Sequence, residues 1–410
     1  MAESKRLRVL LFTNLFPNPE DHTRGIFTGQ LAHELAEICD LTVVCPLPWF
    51  PRWSFLRRFP RWYEFARVPQ EYKIHGVQVY SPKYVILPRI SEPILGALMF
   101  FGSFMTVWKL HRRVRFDVIN SMWLYPDSVA AGWIAKLLRI PMVPTALGCD
   151  VNRMLNEGGK RGQILSMLRR APSITAVSEA LREGMVSEGI PAARISTIPN
   201  GVNGSLFFIR DKLKARAELS LPTERKIVVY VGRLSEEKGL STLVEAAGKL
   251  RRRRDDFLLC LVGDGPLMSE LQARVEELGL TGNVRFAGQQ DHNAVANWLG
   301  ACDVFCLPSL REGCPNVVIE ALSSGRPVVA SRVGGIPDMV RADTGVLVEA
   351  QHVEGFATAL DAALARKWDE RLIAESMNGA TWRTAAENYY LAYRDAVSTV
   401  PRAPCGPAQG

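Results

Sequence analysis

A chain of 410 residues that is 47% hydrophobic can bury a substantial core, and its length favours two domains over one. That composition excludes a disordered tail or a fibre. The formal charge of +8 is uneven: residues 1 to 199 carry 25 Lys/Arg against 16 Asp/Glu, whereas residues 200 to 410 carry 25 against 26, so the positive field belongs to the first half.

The opening MAESKRLRVLLFTNLFP passes quickly from charged residues into a strand pattern. It lacks the apolar stretch and small-residue cleavage site of a signal peptide, which makes the cytoplasm the expected compartment. A helix over IFTGQLAHELAEI and a strand over DLTVVCP follow. Residues 49–69, WFPRWSFLRRFPRWYEFARVP, interleave five arginines with eight aromatics and one acid. The segment suits peripheral contact with an anionic inner-membrane surface, or else an Arg-rich loop anchored by its rings. VQVYSPKY reads as a strand. ILGALMFFGSFMTVW, residues 94–108, is fifteen residues of apolar helix, short of the roughly twenty that span a bilayer, and is expected to be buried or to lie at an interface. FDVINSMW, DSVAAGWIAKLLRI, PMVPTALG, SITAVSEALREGMVSEG and ISTIPNGV continue the strand and helix alternation of a mainly parallel α/β sheet.

The charged residues 210–226 are expected to carry the crossing to a second unit. The pattern restarts at IVVYVGRLSEEKG and runs through FLLCLVGDGP, VRFAGQQ, ACDVFCLPS, PVVASRVGGIPDMV and TGVLVE. Two such sheets predict a crevice for a ligand. Eight cysteines form no paired metal-ligand spacing, and Cys260, Cys302 and Cys306 lie in apolar segments as buried thiols. The terminal PRAPCGPAQG, within residues 399–410, reads as a flexible tail.

Chemistry gathers in the loops. Arg233 and Lys238 follow a strand beside a glycine turn, where two cations suit a diphosphate or simply a solvated surface. Gly263 and Gly265 in LVGDGP allow a close backbone approach to a nucleotide, or an ordinary strand-to-helix turn. REGCPNVVIEALSSGRPVVAS sets Glu312 before an apolar helix and Glu320 within it, with Gly313, Pro315 and Asn316 at the helix mouth. Backbone donors and the helix dipole there favour an anionic or polyhydroxylated ligand. The glutamates suit sugar and ribose hydroxyls, a capping and a surface role, or a glycosidase pair whose separation sequence spacing does not give. In the first half, Gly25 in a polar loop suits a sugar or phosphate, or belongs simply to a flexible surface loop. Gly148 and Asp150 in TALGCDVN suit an acceptor hydroxyl, or a helix cap.

Taken in order, GRLSEEKG, GDGP and REGCPNVVIEALSSGRPVVAS resemble the family four retaining glycosyltransferases (glycosyl transferases group 1), over nearly the whole chain. The resemblance implies an α/β chain of GT-B fold, with two Rossmann-like domains facing across a cleft. These would be residues 1–205 for acceptor binding and 206–380 for nucleotide-sugar binding, with a terminal helix at 381–398 crossing back to the first domain. It implies that Arg233 and Lys238 hold the donor diphosphate, with Gly25, Gly263 and Gly265 nearby. Glu312 and the backbone of Gly313, Cys314, Pro315 and Asn316 would hold the sugar, Glu320 the ribose, and Gly148 and Asp150 the acceptor. Asp150, Arg233, Lys238 and Glu312 are its candidate catalytic set. No metal or cofactor is implied, and the UDP- or GDP-sugar donor is a substrate. The expected reaction is retaining transfer of a hexose to a lipid-linked or oligosaccharide acceptor in bacterial surface glycan or exopolysaccharide synthesis. Two positions depart from the family pattern: Leu147 replaces a common histidine and Asp338 a common glutamate. The first keeps open a noncatalytic carbohydrate- or nucleotide-binding protein on the same scaffold. No nucleic-acid motif accompanies the basic charge, so nucleic acid is not an expected partner.

Overall fold

The computed structural model describes residues 6–51, 60–86, 91–156 and 158–399. The expected membrane-facing segment therefore falls partly outside the described residues, at 52–59, and the terminal tail does so from 400 onward. The chain divides into two compact units, Met1–Pro199 with Trp382–Gly410, and Asn200–Thr381.

The strands of the first unit, in chain order, are β1 Arg8–Phe12, β2 Asp40–Val44, β3 Leu47–Pro48, β4 Glu71–Ile74, β5 Val77–Tyr80, β6 Lys83–Tyr84, β7 Val118–Met122, β8 Met142–Ala146, β9 Ile174–Ala176 and β10 Ile195–Thr197. Eight form one sheet in the order β10-β9-β8-β7-β1-β2-β5-β4, and β3 pairs with β6 separately. Every pair in the large sheet is parallel except β4 with β5. Strands β7 and β8 are buried along their whole length, which is why their sequences run apolar or small rather than alternating. The edge hairpin went unread in the sequence. EYKI and VQVY flank His75–Gly76, both at positive φ as a two-residue hairpin turn requires.

The terminal helix Trp382–Thr399 completes this unit. It buries Trp382, Ala385, Ala386, Tyr389, Ala392, Tyr393 and Ala396, one stripe at helical spacing. Trp382 stacks on Phe27 of the helix Ile26–Ile38 at a centroid distance of 6.2 Å, and Tyr393 Oη donates to Asn120 Oδ1 of β7 at 3.0 Å.

The apolar stretch expected over residues 94–108 is a longer helix, Leu95–Val114, because the run continues through good helix formers to a left-handed cap at Arg115. By length and composition it is long enough to cross a membrane. One face, with Gly96, Met99, Ser103, Val107 and Leu110, is buried, and Phe101 and Met105 are exposed.

In the second unit the strands are β11 Lys226–Val231, β12 Phe257–Val262, β13 Val284–Gly288, β14 Val304–Leu307, β15 Val328–Ser331 and β16 Gly345–Val348. They form a parallel sheet in the order β13-β12-β11-β14-β15-β16. Cys260, Cys302 and Cys306 are fully buried free thiols in its core. Residues 210–226, expected as the crossing, instead fold onto this unit. Asp211 accepts from Lys214 N–H to start the helix Lys212–Glu218, and Arg216 is buried against Asp303 at 2.6 Å.

The turn after β11 ends at Gly239, whose φ is +66 and where a Cβ would stand 2.1 Å from Pro308 O. Gly279 has the same φ of +66 with nothing within 4 Å of a Cβ. Gly279→Ala is expected to cost about 1–2 kcal/mol of unfolding free energy, the left-handed penalty alone. Gly239→Ala is expected to cost more, because the overlap adds to it. Urea unfolding of the two variants measures the difference, and equal losses would contradict the close approach.

Candidate functional site

In an open parallel sheet the loops after the strands leave one edge, and a crevice opens where successive connections run to opposite sides. In the second unit that point lies between β11 and β14. The turn after β11 carries Arg233 and Lys238, and the loop after β14 carries Glu312 to Asn316. Across the gap Lys238 Nζ lies 2.7 Å from Glu312 Oε1, and Ser309 Oγ donates to the same oxygen at 2.6 Å. The Glu312 side chain is 9% exposed and that of Lys238 25%. An ammonium has three donors, so Lys238 holds Glu312 and still presents protons to an anion. Arg233 is exposed, and its guanidinium has no hydrogen bond or ion pair among the described residues.

Backbone bonds stitch these loops together. Leu310 N–H donates to Glu237 O at 2.8 Å, Leu234 N–H to Asp264 O at 3.0 Å, Gly263 N–H to Gly288 O at 2.8 Å and Gly335 N–H to Gly313 O at 2.8 Å. A Cβ on Gly263 would stand 1.9 Å from Gly232 O, and one on Gly265 2.3 Å from Leu234 O. The missing side chains at these two positions thus make room for the neighbouring loop of the chain itself.

At the mouth of the helix Asn316–Ser323, Asn316 Oδ1 accepts from Asn200 Nδ2 at 2.7 Å, and Asn316 Nδ2 is buried without a partner among the described residues. Pro315 is buried beside it, and burial pushes the Cys314 thiol up to about 11, which keeps it neutral rather than nucleophilic. Glu320 is buried with Oε1 2.8 Å from His292 Nε2, and the imidazole packs 5.0 Å from the Phe207 ring. Asp338 is exposed.

The first unit reverses its connections between β1 and β7. There Asn14 N–H, just beyond β1, donates to Asp127 Oδ1, just beyond β7. Asp127 is fully buried, and its Oδ2 and Asn14 Oδ1 lack partners among the described residues. Burial pushes this carboxyl up to about 8, so it carries a proton at neutral pH. Asp150, after β8, is also fully buried. Its Oδ1 accepts from Gly148 N–H at 2.7 Å and Val151 N–H at 3.1 Å, and its Oδ2 from Leu124 N–H and Leu147 N–H at 3.0 Å each. Burial pushes its pKa up, against the pull of those backbone donors. Gly148 caps the short helix Cys149–Asn152, and Leu147 packs half-buried against the core. Gly25 caps the helix Ile26–Ile38 at φ +59, with a Cβ position 2.3 Å from Leu15 O.

Two family descriptions account for these units: "Glycosyltransferase Family 4" fits residues 8–205, and "Glycosyl transferases group 1" fits residues 211–377. A Bacillus subtilis protein named as a teichuronic acid biosynthesis glycosyltransferase, TuaC, is 30% identical over 371 residues, covering 86% of this chain and 88% of its own. The chain belongs to the family four glycosyltransferases. It is an enzyme that uses a nucleotide sugar. The D-inositol 3-phosphate glycosyltransferase of Mycobacteroides abscessus is 31% identical over 319 residues, covering 73% of this glycosyltransferase and 70% of the relative. The structure of sucrose-phosphate synthase from Thermosynechococcus elongatus superimposes with a TM-score of 0.75 at 23% identity, over 96% of this chain and all of that one, which establishes the GT-B fold. Among the described residues no group of three His, Cys, Asp or Glu side chains is arranged to hold a metal ion.

Sequence reasoning passed over Asn14, Asp127, His292 and Ser309. Each follows a strand or opens a helix within a polar loop, which is the signal they offered. Asp127 gives a test of pH dependence. With its pKa raised, the folded state binds more protons than the unfolded state between about pH 4 and pH 8, so the contribution to stability falls as pH rises through that window. Asp127→Asn keeps an oxygen for Asn14 N–H and removes the titration. The melting temperature of this variant is expected to fall less than that of the wild type between the two pH values, and parallel profiles would show that Asp127 does not titrate there.

Proposed function

We propose that the enzyme is a retaining hexosyltransferase that moves a hexose from a UDP- or GDP-sugar to a lipid-linked or oligosaccharide acceptor in bacterial surface glycan or exopolysaccharide synthesis. The observation that carries this reading is the Lys238–Glu312 pair of 2.7 Å at the strand-order reversal, with the exposed Arg233 on the adjoining turn. Arg233 and Lys238 receive the donor diphosphate and stabilise the charge that develops as the nucleoside diphosphate departs. Glu312, with the backbone from Gly313 to Asn316, receives the hexose, and Glu320, steadied by His292, receives the ribose. Attack on the face from which the diphosphate leaves retains the anomeric configuration. The name of the relative that refers to teichuronic acid biosynthesis supports a surface-glycan acceptor.

The first unit takes the acceptor. Asp150 has its oxygens occupied by four backbone donors, so its part is to hold the Leu147–Gly148 turn rather than to take the acceptor proton itself. Leu147 offers no hydrogen bond to sugar or phosphate. The enzyme works in the cytoplasm, in peripheral contact with the anionic inner-membrane surface through residues 49–69.

Calorimetry with UDP-, GDP- and ADP-sugars is expected to show selective binding by the wild type. Arg233→Ala is expected to weaken it about 10- to 100-fold, the value of a charge-assisted contact. Equal binding by both proteins would remove Arg233 from the donor site. Glu312→Gln is expected to lower turnover by about 10²-fold or more, as the loss of one placed stabilising group does. Unchanged turnover would refute the role given to Glu312.

A further inference from the structure

A cavity of about 590 Å³ lies in the first unit between the helices Val129–Leu138 and Gly158–Leu168. Its size is that of a typical ligand pocket. Its interior is apolar, with Trp133, Met142 and Met167 among its walls. Lys136, Arg139 and Arg170 also line it, all three exposed, and among the described residues no aspartate or glutamate does. None of these three cations makes an ion pair among the described residues. Arg139 and Arg170 stand just past the C-termini of the two helices, at the end where β8 and β9 begin. Asp150 follows the opposite end of β8, so the cavity's basic end is separate from the strand-end loops described above.

The cavity continues into an apolar surface. Trp133 meets Phe100 edge to face at 5.9 Å, and Phe100 belongs to the helix Leu95–Val114. That helix leaves Phe101 74% and Met105 53% exposed, and Leu137 beside Lys136 is 59% exposed. A hydrocarbon-compatible interior, a cationic mouth without counter-ions among the described residues and a flanking apolar face match one ligand chemistry: a long acyl chain ending in a phosphate. We propose that this cavity binds an anionic membrane phospholipid, with one acyl chain between the two helices and the headgroup phosphate at Lys136, Arg139 and Arg170. The site does not rest on the transfer reaction, and its occupancy docks the first unit on a bilayer by a surface other than residues 49–69.

Gly162 supplies a test that leaves charge untouched. It lines the cavity from inside a helix, and a Cβ there would meet no heavy atom within 4 Å. Gly162→Leu therefore puts bulk beside the cavity while favouring the helix. The experiment is co-sedimentation of the full chain with phosphatidylcholine vesicles, with and without phosphatidylglycerol. The wild type is expected to bind only the anionic vesicles, and added inorganic phosphate at matched ionic strength is expected not to compete. Replacing Lys136, Arg139 and Arg170 together by Ala is expected to weaken binding on the order of a hundredfold. Gly162→Leu is expected to weaken it about tenfold, the scale of blocking a few buried methylenes. Unchanged far-UV circular dichroism and an unchanged melting temperature of each variant would show that its first unit is folded. Failure of the wild type to bind anionic vesicles, equal binding to neutral ones, displacement by free phosphate, or full binding by a folded Gly162→Leu protein would each overturn the proposal.

Discussion

The ion pair between Lys238 and Glu312 joins two loops that leave neighbouring strands, and much of the second unit's strand-end edge is arranged around it. Bringing two charges out of water is costly, and removing one partner leaves the other buried and uncompensated. Ser309 and the Leu310–Glu237 backbone bond offset part of that cost by fixing the loop before any ligand arrives. The result is a cationic edge held in position in advance, the condition under which a developing charge is stabilised without reorganisation.

The first unit solves the same geometric problem with the opposite chemistry. At its reversal point a buried acid, Asp127, takes the place of an ion pair and keeps its proton, while Asp150 spends its oxygens on backbone amides. Neither carboxylate faces solvent. The excess of positive charge in this half lies elsewhere, on helix ends such as Arg139 and Arg170, so net charge alone says little about where substrate meets the first unit.

Much of the fold was legible because parallel strands buried on both faces announce themselves as short apolar runs, as FLLCLV and DVFCL do, and the helices between them carry clear stripes. The charged stretch at 210–226 misled because its polar composition hides Ala215 and Arg216, which tertiary contact with Asp303 buries. In the site, Lys238 and Glu312 were each visible as charges after a strand, but 74 residues separate them and only the sheet order brings them together. Gly263 and Gly265 were visible as glycines, whereas the loops they admit come from Gly232 and Leu234. The protonation of Asp127 is a property of its surroundings, which no local pattern encodes.

The terminal helix has a consequence for how the protein is made. Its buried stripe, from Trp382 to Ala396, covers the face of the first unit formed by the helix Ile26–Ile38 and by β7, yet it is synthesised only after the whole of the second unit. Domains commonly fold in order of synthesis. Here the first unit must wait with an apolar face uncovered while all of Asn200–Thr381 is translated, and that interval is when a nascent chain has most need of a chaperone.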